Sequence, residues 1–599
     1  MAEELNCEVG KEVGYAIRFE DATSESTRIK FLTDGLLIRE ALMDPLLSRY
    51  SVIMVDEAHE RSISTDVLLG LLKKIKKKRP ELRIVVSSAT LQAEEFLKFF
   101  SEPSKKHKEG VEQNMGDEEQ KDVRIVSIQG RTHPVDLLFL DAPTEDYVGR
   151  AIQTVFDIHA KQPPGDILVF LTGREEIEYA LSAVSERLGQ TGEREQALLP
   201  LPLYAGLSTE QQEYIFETAP EKTRKVVFAT NIAEASVTIP GVVYVVDCGF
   251  AKIRVYNPTT GIETLTAAPV SKASAIQRAG RAGRTQPGKC FRLYTEADFA
   301  ALAETTVPEM QRSNLAPIIL QLKALGIDNV LRFDFLSPPP SELMARALEL
   351  LYSLGALDEY AKLTRPLGLR MAEIAVEPMM AKTLLSASAF DCLSEMLTIA
   401  AMTSLGGNIW FHHEGERKKM EASRRKFAAD EGDHLTYLNV YQAFITRGKK
   451  EAKFCHEHHL NFKALTRAVS IRAQLKRYLE RSGVNVDESL SSSTSQVLKA
   501  RRDPAKVAED IRRCLTTGYF AHAAKMQPDG TFHNVAGNVV LHAHPSSLLF
   551  SRKAEWIVFH EVLETAGKVF VRDLTKIEKG WLVQYAPEYY QLRDSRPAI

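Results

Sequence analysis

Cysteine is scarce. Six occur in 599 residues (Cys7, Cys248, Cys290, Cys392, Cys455 and Cys514), and no two are close enough for a CxxC. That usage points to reduced thiols in a reducing compartment. No apolar run approaches the ~18 residues of a membrane span, so no membrane partner is expected. The N-terminal stretch MAEELNCEVGKEVG lacks the apolar core of a signal peptide. An excess of one charge is missing too. With a formal net charge of -3 the chain is no polycation, and any nucleic-acid surface must be local. Also absent is a phosphate-cradling GxxxxGK[ST]. The Gly-Lys pairs at 10–11, 288–289, 448–449 and 567–568 are followed by Glu, Cys, Lys and Val. What remains, 44% hydrophobic and 26% charged, is ordinary globular protein. Its length suggests about four domains.

The chain is organised around SVIMVDEAH, Ser51 to His59. Val52, Ile53, Met54 and Val55 form the short apolar run of a strand covered on both faces. Asp56 and Glu57 emerge at its carboxyl end, where open α/β sheets bind ligands. Adjacent carboxylates there suit phosphoryl transfer: one holds Mg²⁺, directly or through water, and the next orients an attacking water.

RIKFLT, SVIMVDE and RIVVSSAT read as strands, with the helix TDVLLGLLKKIKKK between the last two. That order predicts βαβ units and a parallel sheet over residues 1–128. Residues 101–122 are polar and read as a disordered surface insertion. Residues 129–297 repeat the α/β pattern, so two similar lobes are expected to face each other across a cleft. From about 298 the periodicity is helical, broken at SPPP (Ser337 to Pro340). SLSSSTSQ (Ser489 to Gln496) reads as a linker. From about 515 short strands return, as in a small all-β barrel.

Six stretches follow in fixed order: TDG (Thr33 to Gly35), DEAH (Asp56 to His59), SAT (Ser88 to Thr90), FLTG (Phe170 to Gly173), ATNIAEASVTIPG (Ala229 to Gly241) and QRAGRAGR (Gln277 to Arg284). In the last, Gln277, Arg281 and Arg284 are spaced for successive turns of one helix face. Paired arginines there can meet a γ-phosphate across the cleft, one as an arginine finger.

With these motifs the sequence resembles the DEAH-box RNA helicases of superfamily 2, along essentially its whole length. GFAKIRVYNP, VPEMQRSNLAPIILQLKALGIDN, LTRPLGLRMAE and EWIVFHEV carry the resemblance beyond the motifs. It implies an α/β fold of two RecA-like P-loop-NTPase lobes, the first incomplete, followed by a winged helix, a helical ratchet bundle and a C-terminal OB-fold. The boundaries expected are 1–128, 129–297, 298–365, 366–512 and 513–599. The activity implied is 3′-to-5′ stepping along single-stranded RNA, driven by ATP or another nucleoside triphosphate with Mg²⁺. A spliceosome-associated branch fits best. It implies nuclear localisation, a role in pre-mRNA splicing, and spliceosomal proteins as partners, a glycine-patch activator among the candidates.

By the same resemblance, Asp56 would bind Mg²⁺ through water and Glu57 would position the hydrolytic water. His59 and the Ser88, Ala89, Thr90 turn would couple the nucleotide to lobe movement. Gln277, Arg281 and Arg284 would face the phosphates. Phe216 would stack on the base, and Ser236 and Thr238 would line the nucleotide site. Thr33, Gly35, Thr172, Gly173 and Thr230 would touch the RNA backbone, which suits a motor that moves without reading sequence. The hairpin following GFAKIRVYNP would separate or grip the strand.

The family's P-loop is the main departure. Its backbone N–H groups and lysine are worth on the order of 5–10 kcal/mol to the phosphates. Residues 1–599 alone are therefore expected to hydrolyse little or nothing, and the upstream strand's absence is expected to leave an apolar sheet edge unpaired. The expectation is an N-terminally incomplete gene model of an active helicase, with a catalytically inactive RNA-binding scaffold as the alternative. Pro240 stands where relatives often carry a ribose-binding Asp, so weak nucleotide discrimination is expected. Two stretches invite other readings. Cys455-His456-Glu457-His458-His459 resembles a metal site but has leucine at 460, where HExxH needs histidine. Lys73 to Pro80, KKIKKKRP, resembles a nuclear signal but suits a core helix's end.

Overall fold

The computed structural model describes all residues except 19, 89–92, 102–122, 129–132, 191–196, 205, 206, 208, 235, 236, 407, 408, 412–416, 449, 487–502, 551, 566 and 595–599. The polar stretch from 102 and the serine-rich stretch at 489–496 thus fall outside the described residues.

In the first lobe, Val52–Val55 pairs in parallel with Arg83–Val86, and the helix Ile63–Lys78 connects them. This is the expected βαβ unit, but not the expected single sheet. Val13–Ile17, Glu20–Ala22 and Ile29–Leu32 form a separate three-stranded sheet. Nor is the Val52–Val55 strand covered on both faces. Ile53 and Val55 pack into the core beside Val67, Leu68 and Leu71 of the connecting helix. Val52 and Met54, pointing the other way, are 55% and 60% exposed. Strand side chains alternate, and no described element covers that second face, so half of an apolar run sits in water.

The second lobe is built as the sequence suggests. Six parallel strands lie in the order Val135–Leu138, Gly288–Arg292, Val242–Asp247, Asp166–Phe170, Thr223–Ala229, Ala197–Leu203. Ile167, Val169, Val226 and Phe228 feed one core, and Leu168, Phe170, Val227 and Ala229 feed the other. Both faces of the three central strands are buried, which is why those strands read as unbroken apolar runs.

An antiparallel hairpin, Phe250–Asn257 with Ile262–Pro269, projects from this lobe. GFAKIRVYNP is thus the hairpin's own first arm. Helices Ala316–Ala324 and Ser341–Ser353 follow. A helical region then runs from Pro378–Ser386 to Phe462–Arg481, and Pro504–Tyr519 leads into a closed five-stranded barrel. The end domain is not all-β: helices Lys579–Tyr585 and Pro587–Asp594 close the chain.

Polar bonds join these parts. Arg18 donates to the Ala375 carbonyl at 2.6 Å, and Arg39 to Glu373 and Ile374 at 3.2 and 3.3 Å, tying the first lobe to the helical region. The hairpin reaches the barrel through Thr266 to Glu564 at 2.8 Å and through Asn534 to the Thr260 carbonyl at 3.1 Å. Asp433 accepts from Ser547 Oγ at 2.5 Å and from the Leu548 and Leu574 N–H groups at 2.8 and 2.9 Å. Burial pushes its carboxyl up to about 6. The pieces enclose a cavity of about 980 Å³, walled by the first lobe, the hairpin, the helical region and the barrel.

Candidate functional site

The acid pair sits on a turn fastened to the neighbouring strand. Ser87 N–H donates to the Val55 carbonyl at 2.8 Å, and Ala58 N–H to the Ser87 carbonyl at 3.0 Å, so pairing continues past both strand ends. Glu57 holds φ +49° and Arg61 φ +52°. Left-handed backbone costs a side-chain-bearing residue about 1 kcal/mol or more, so the surroundings must impose it. Arg61 supplies much of that restraint. Its guanidinium meets both Asp66 oxygens at 2.8 and 2.9 Å, Glu95 at 3.2 Å and Ser337 Oγ at 2.6 Å. The Asp56 side chain is exposed and accepts from the Glu57 N–H at 3.0 Å. His59 Nε2 lies 3.5 Å from Glu57. Burial lowers the His59 pKa, against the pull of Glu57, Glu234 and Asp56.

Across the cleft, the helix that carries Gln277 runs only from Lys272 to Gly280. A tight turn, Arg281–Gly283, takes over. Gln277, Arg281 and Arg284 therefore do not share one helix face. Glycine at 280 favours a helix end, and a Cβ at Gly283 would stand 2.5 Å from the His133 carbonyl oxygen, so the chain turns where the sheet's first strand crosses it. Arg281 donates to the Val237 carbonyl at 3.1 Å and to the Glu234 carbonyl, and Arg284 donates to Thr238 Oγ1. Burial, and after it Arg284, push the Arg281 pKa down to about 10 against the opposing pull of Glu57 and Glu234. At neutral pH Arg281 stays charged, facing Glu57 from the other lobe.

The arginine missed from sequence lies between them. Arg278 is fully buried, with Nη1 2.7 Å from Asp247 and Nε 3.1 Å from Glu234. Tyr294 OH donates to the second Asp247 oxygen at 3.0 Å. Arg278 thus welds the arginine turn to the segment carrying Glu234 and to the strand ending in Asp247. Its place inside QRAGRAGR was the available signal. The long-range partners were not readable.

The remaining candidates scatter. Thr33 and Gly35 line the large cavity, with Thr33 at the N-cap of the Asp34–Met43 helix. Thr172, Gly173 and Thr230 follow second-lobe strands and lie outside the cavity lining. Thr172 is buried, its N–H bonded to Glu176 at 2.9 Å, and Thr230 N–H donates to the Leu203 carbonyl at 3.1 Å. Phe216 ends the Thr209–Phe216 helix with its ring 45% exposed. Ser88 is half-buried at the end of the strand beside the acidic turn, while Ala89, Thr90 and Ser236 fall outside the described residues. Among the described residues no group of three potential ligands could hold a metal ion, and Cys455 is buried in the Ala452–Glu457 helix. Lys73 of the basic stretch lies over the Phe99 ring at 4.4 Å, inside the first lobe.

Chemically, the cleft offers one open carboxylate, a second carboxylate held on a strained turn, and two guanidiniums opposite. The exposed Asp56 carboxylate suits a hydrated Mg²⁺, and the arginines suit a phosphate's charge. Both arginines rest on carbonyl or hydroxyl oxygens that a phosphate could replace.

Comparisons with known proteins agree with this architecture. Residues 150–286 match the helicase conserved C-terminal domain. Residues 347–376 and 377–437 match the winged-helix and ratchet-like parts of the helicase associated domain (HA2), and 511–589 an oligonucleotide/oligosaccharide-binding (OB) fold. The chain is 49% identical over 597 residues to the probable ATP-dependent RNA helicase DHX35 of Homo sapiens, covering 99% of this chain and 81% of that protein. It is 46% identical over 594 residues to the Caenorhabditis elegans homolog, covering 99% and 77%. Among solved structures, the E. coli DExH-box NTPase HrpB superposes with a TM-score of 0.72 at 26% identity, covering 98% of this chain and 62% of that one.

Proposed function

Because the chain belongs to the DEAH-box RNA helicase family, as a DHX35-like member, we propose that it works as an ATP-dependent RNA helicase that steps 3′ to 5′ and remodels RNA–protein complexes in pre-mRNA splicing. The observation that carries the reading is the approach of Glu57 and Arg281 from opposite lobes, close enough for each lobe's charge to act on the other. Asp56 would hold Mg²⁺ through water, which supplies charge neutralisation at the phosphates. Glu57 would orient water, and Arg281 and Arg284 would leave their present oxygens for the γ-phosphate. Single-stranded RNA would occupy the large cavity, past Thr33 and Gly35. Nuclear localisation, spliceosomal partners and a glycine-patch activator belong to the same proposal.

One observation favours a narrower activity for residues 1–599 taken alone: they contain no P-loop sequence. We expect this chain to bind single-stranded RNA but to hydrolyse ATP at background rate. A fusion placing a DEAH-box P-loop segment ahead of Met1 should hydrolyse ATP with RNA stimulation and unwind a duplex bearing a 3′ overhang. Robust RNA-stimulated hydrolysis by residues 1–599 themselves would contradict the first expectation. A fusion that folds and binds RNA yet never hydrolyses would leave the scaffold reading in its place.

A further inference from the structure

The large cavity is oddly charged for a polyanion. Its walls carry five arginines, among them Arg18, Arg39 and Arg254, but also six carboxylates. Four of those acids have partners: Glu20 accepts from Tyr15, Asp21 from Thr23 at 2.6 Å, Glu309 from the Ile63 N–H at 3.2 Å, and Glu561 from Arg572 at 2.5 Å. Two do not. Among the described residues, neither Glu263 nor Glu377 has a hydrogen-bond or ion-pair partner within contact distance for its side chain. Glu263 lies on the hairpin's second arm. Glu377 is the N-cap of the Pro378–Ser386 helix, yet its side chain makes no capping bond. It lines the cavity, reached by the cavity's water yet surrounded on all sides by protein.

Both acids line the cavity together with the arginines, and Arg18 and Arg39 are bonded to the carbonyls just before Glu377. Burial raises the Glu377 pKa, Arg18 opposes the rise, Glu263 adds to it, and Arg254 and Arg39 oppose it again. Burial lowers the Arg312 pKa, Glu309 and Glu263 oppose that, and Arg254 adds to it. A protein that needed only a tight grip on phosphates would gain nothing from carboxylates here. A protein that must hold and then release a strand would gain, because each carboxylate competes with phosphate for the same guanidiniums.

We propose that Glu377, assisted by Glu263, is a release residue: a carboxylate in the strand cavity that weakens the hold of Arg18, Arg39 and Arg254 on RNA phosphates. This deepens the RNA-binding reading above and rests on it. The charge offsets the arginines when the cavity holds only water and repels the backbone when a strand enters, so affinity is kept below what the arginines alone would give.

The test is a titration of the full 599-residue chain with a fluorescein-labelled oligouridylate of about 12 nucleotides, at several salt concentrations. Glu377→Gln should tighten binding about fivefold at low salt, Glu263→Gln somewhat less, and the double variant more than either. The slope of log affinity against log salt should steepen in Glu377→Gln and return to the wild-type value in Glu377→Asp. A merely structural role would leave that slope unchanged. Unchanged or weaker binding in both single variants, with wild-type thermal unfolding, overturns the proposal while leaving the RNA reading intact. If the wild-type chain binds no oligouridylate, the cavity reading itself fails, and this inference with it.

Discussion

In the P-loop-bearing fusion, Arg281→Ala is expected to lower RNA-stimulated hydrolysis about 10³-fold or more, with most of the loss in kcat. An arginine that reaches a transferring phosphate contributes about 10³–10⁵ to the rate, because it meets charge that develops only in the transition state. Arg281 has the position for this. It is half-buried on a short turn opposite Glu57, charged at neutral pH, and held by carbonyl oxygens that form a weaker site than a phosphate. Burial disfavours its charge while it waits, and an incoming phosphate would relieve that penalty. Arg281→Lys should recover only part of the rate, since an ammonium cannot reproduce the planar fork. Arg284, exposed and resting on a threonine hydroxyl, should matter less. A loss under tenfold in Arg281→Ala would remove it from the phosphate site.

Arg278→Ala should act on stability instead. Asp247 is fully buried, and Arg278 is its only cationic partner among the described residues. Removing one member of such a pair typically costs about 3–5 kcal/mol, because the other charge is left buried and uncompensated. The substitution also opens a void beside Phe170, over whose ring the guanidinium lies at 4.8 Å. Urea unfolding of the 599-residue chain, followed by a probe in the second lobe, should show the transition shifted to lower urea by that free energy divided by the transition's slope. Arg278→Ala combined with Asp247→Asn should recover part of the loss, because the stranded charge is gone. An unshifted transition would mean that the pair contributes nothing to holding the arginine turn in place.

Much of this was legible in the sequence, and the reasons are local. The second lobe's central strands are buried on both faces, so their apolar runs announced them. Asp56 and Glu57 follow such a run directly, and the βαβ unit around them came from period alone. The failures also have physical causes. Val52 and Met54 read as buried because a four-residue apolar run does not say which face a neighbour covers. Gln277, Arg281 and Arg284 suit helical spacing, but glycines at 280 and 283 end the helix between them. Arg278 was overlooked because its meaning lies in Asp247, 31 residues away, and in Glu234. Glu377 carried no signal at all, since its significance depends on a cavity assembled from four parts of the chain.

The central claim is that the acid turn of one lobe and the arginine turn of the other share a single gap. Five of the six native cysteines are buried and Cys7 is partly so, which makes an engineered pair at 57 and 281 readable against single-variant controls. A Glu57→Cys, Arg281→Cys chain treated with a bis-maleimide spanning about 10 Å, one Debye length at moderate salt, should become internally cross-linked in high yield, with the link placed between those positions by peptide mapping. Modification of both cysteines without any bridge would put the two turns on unrelated surfaces and contradict the account.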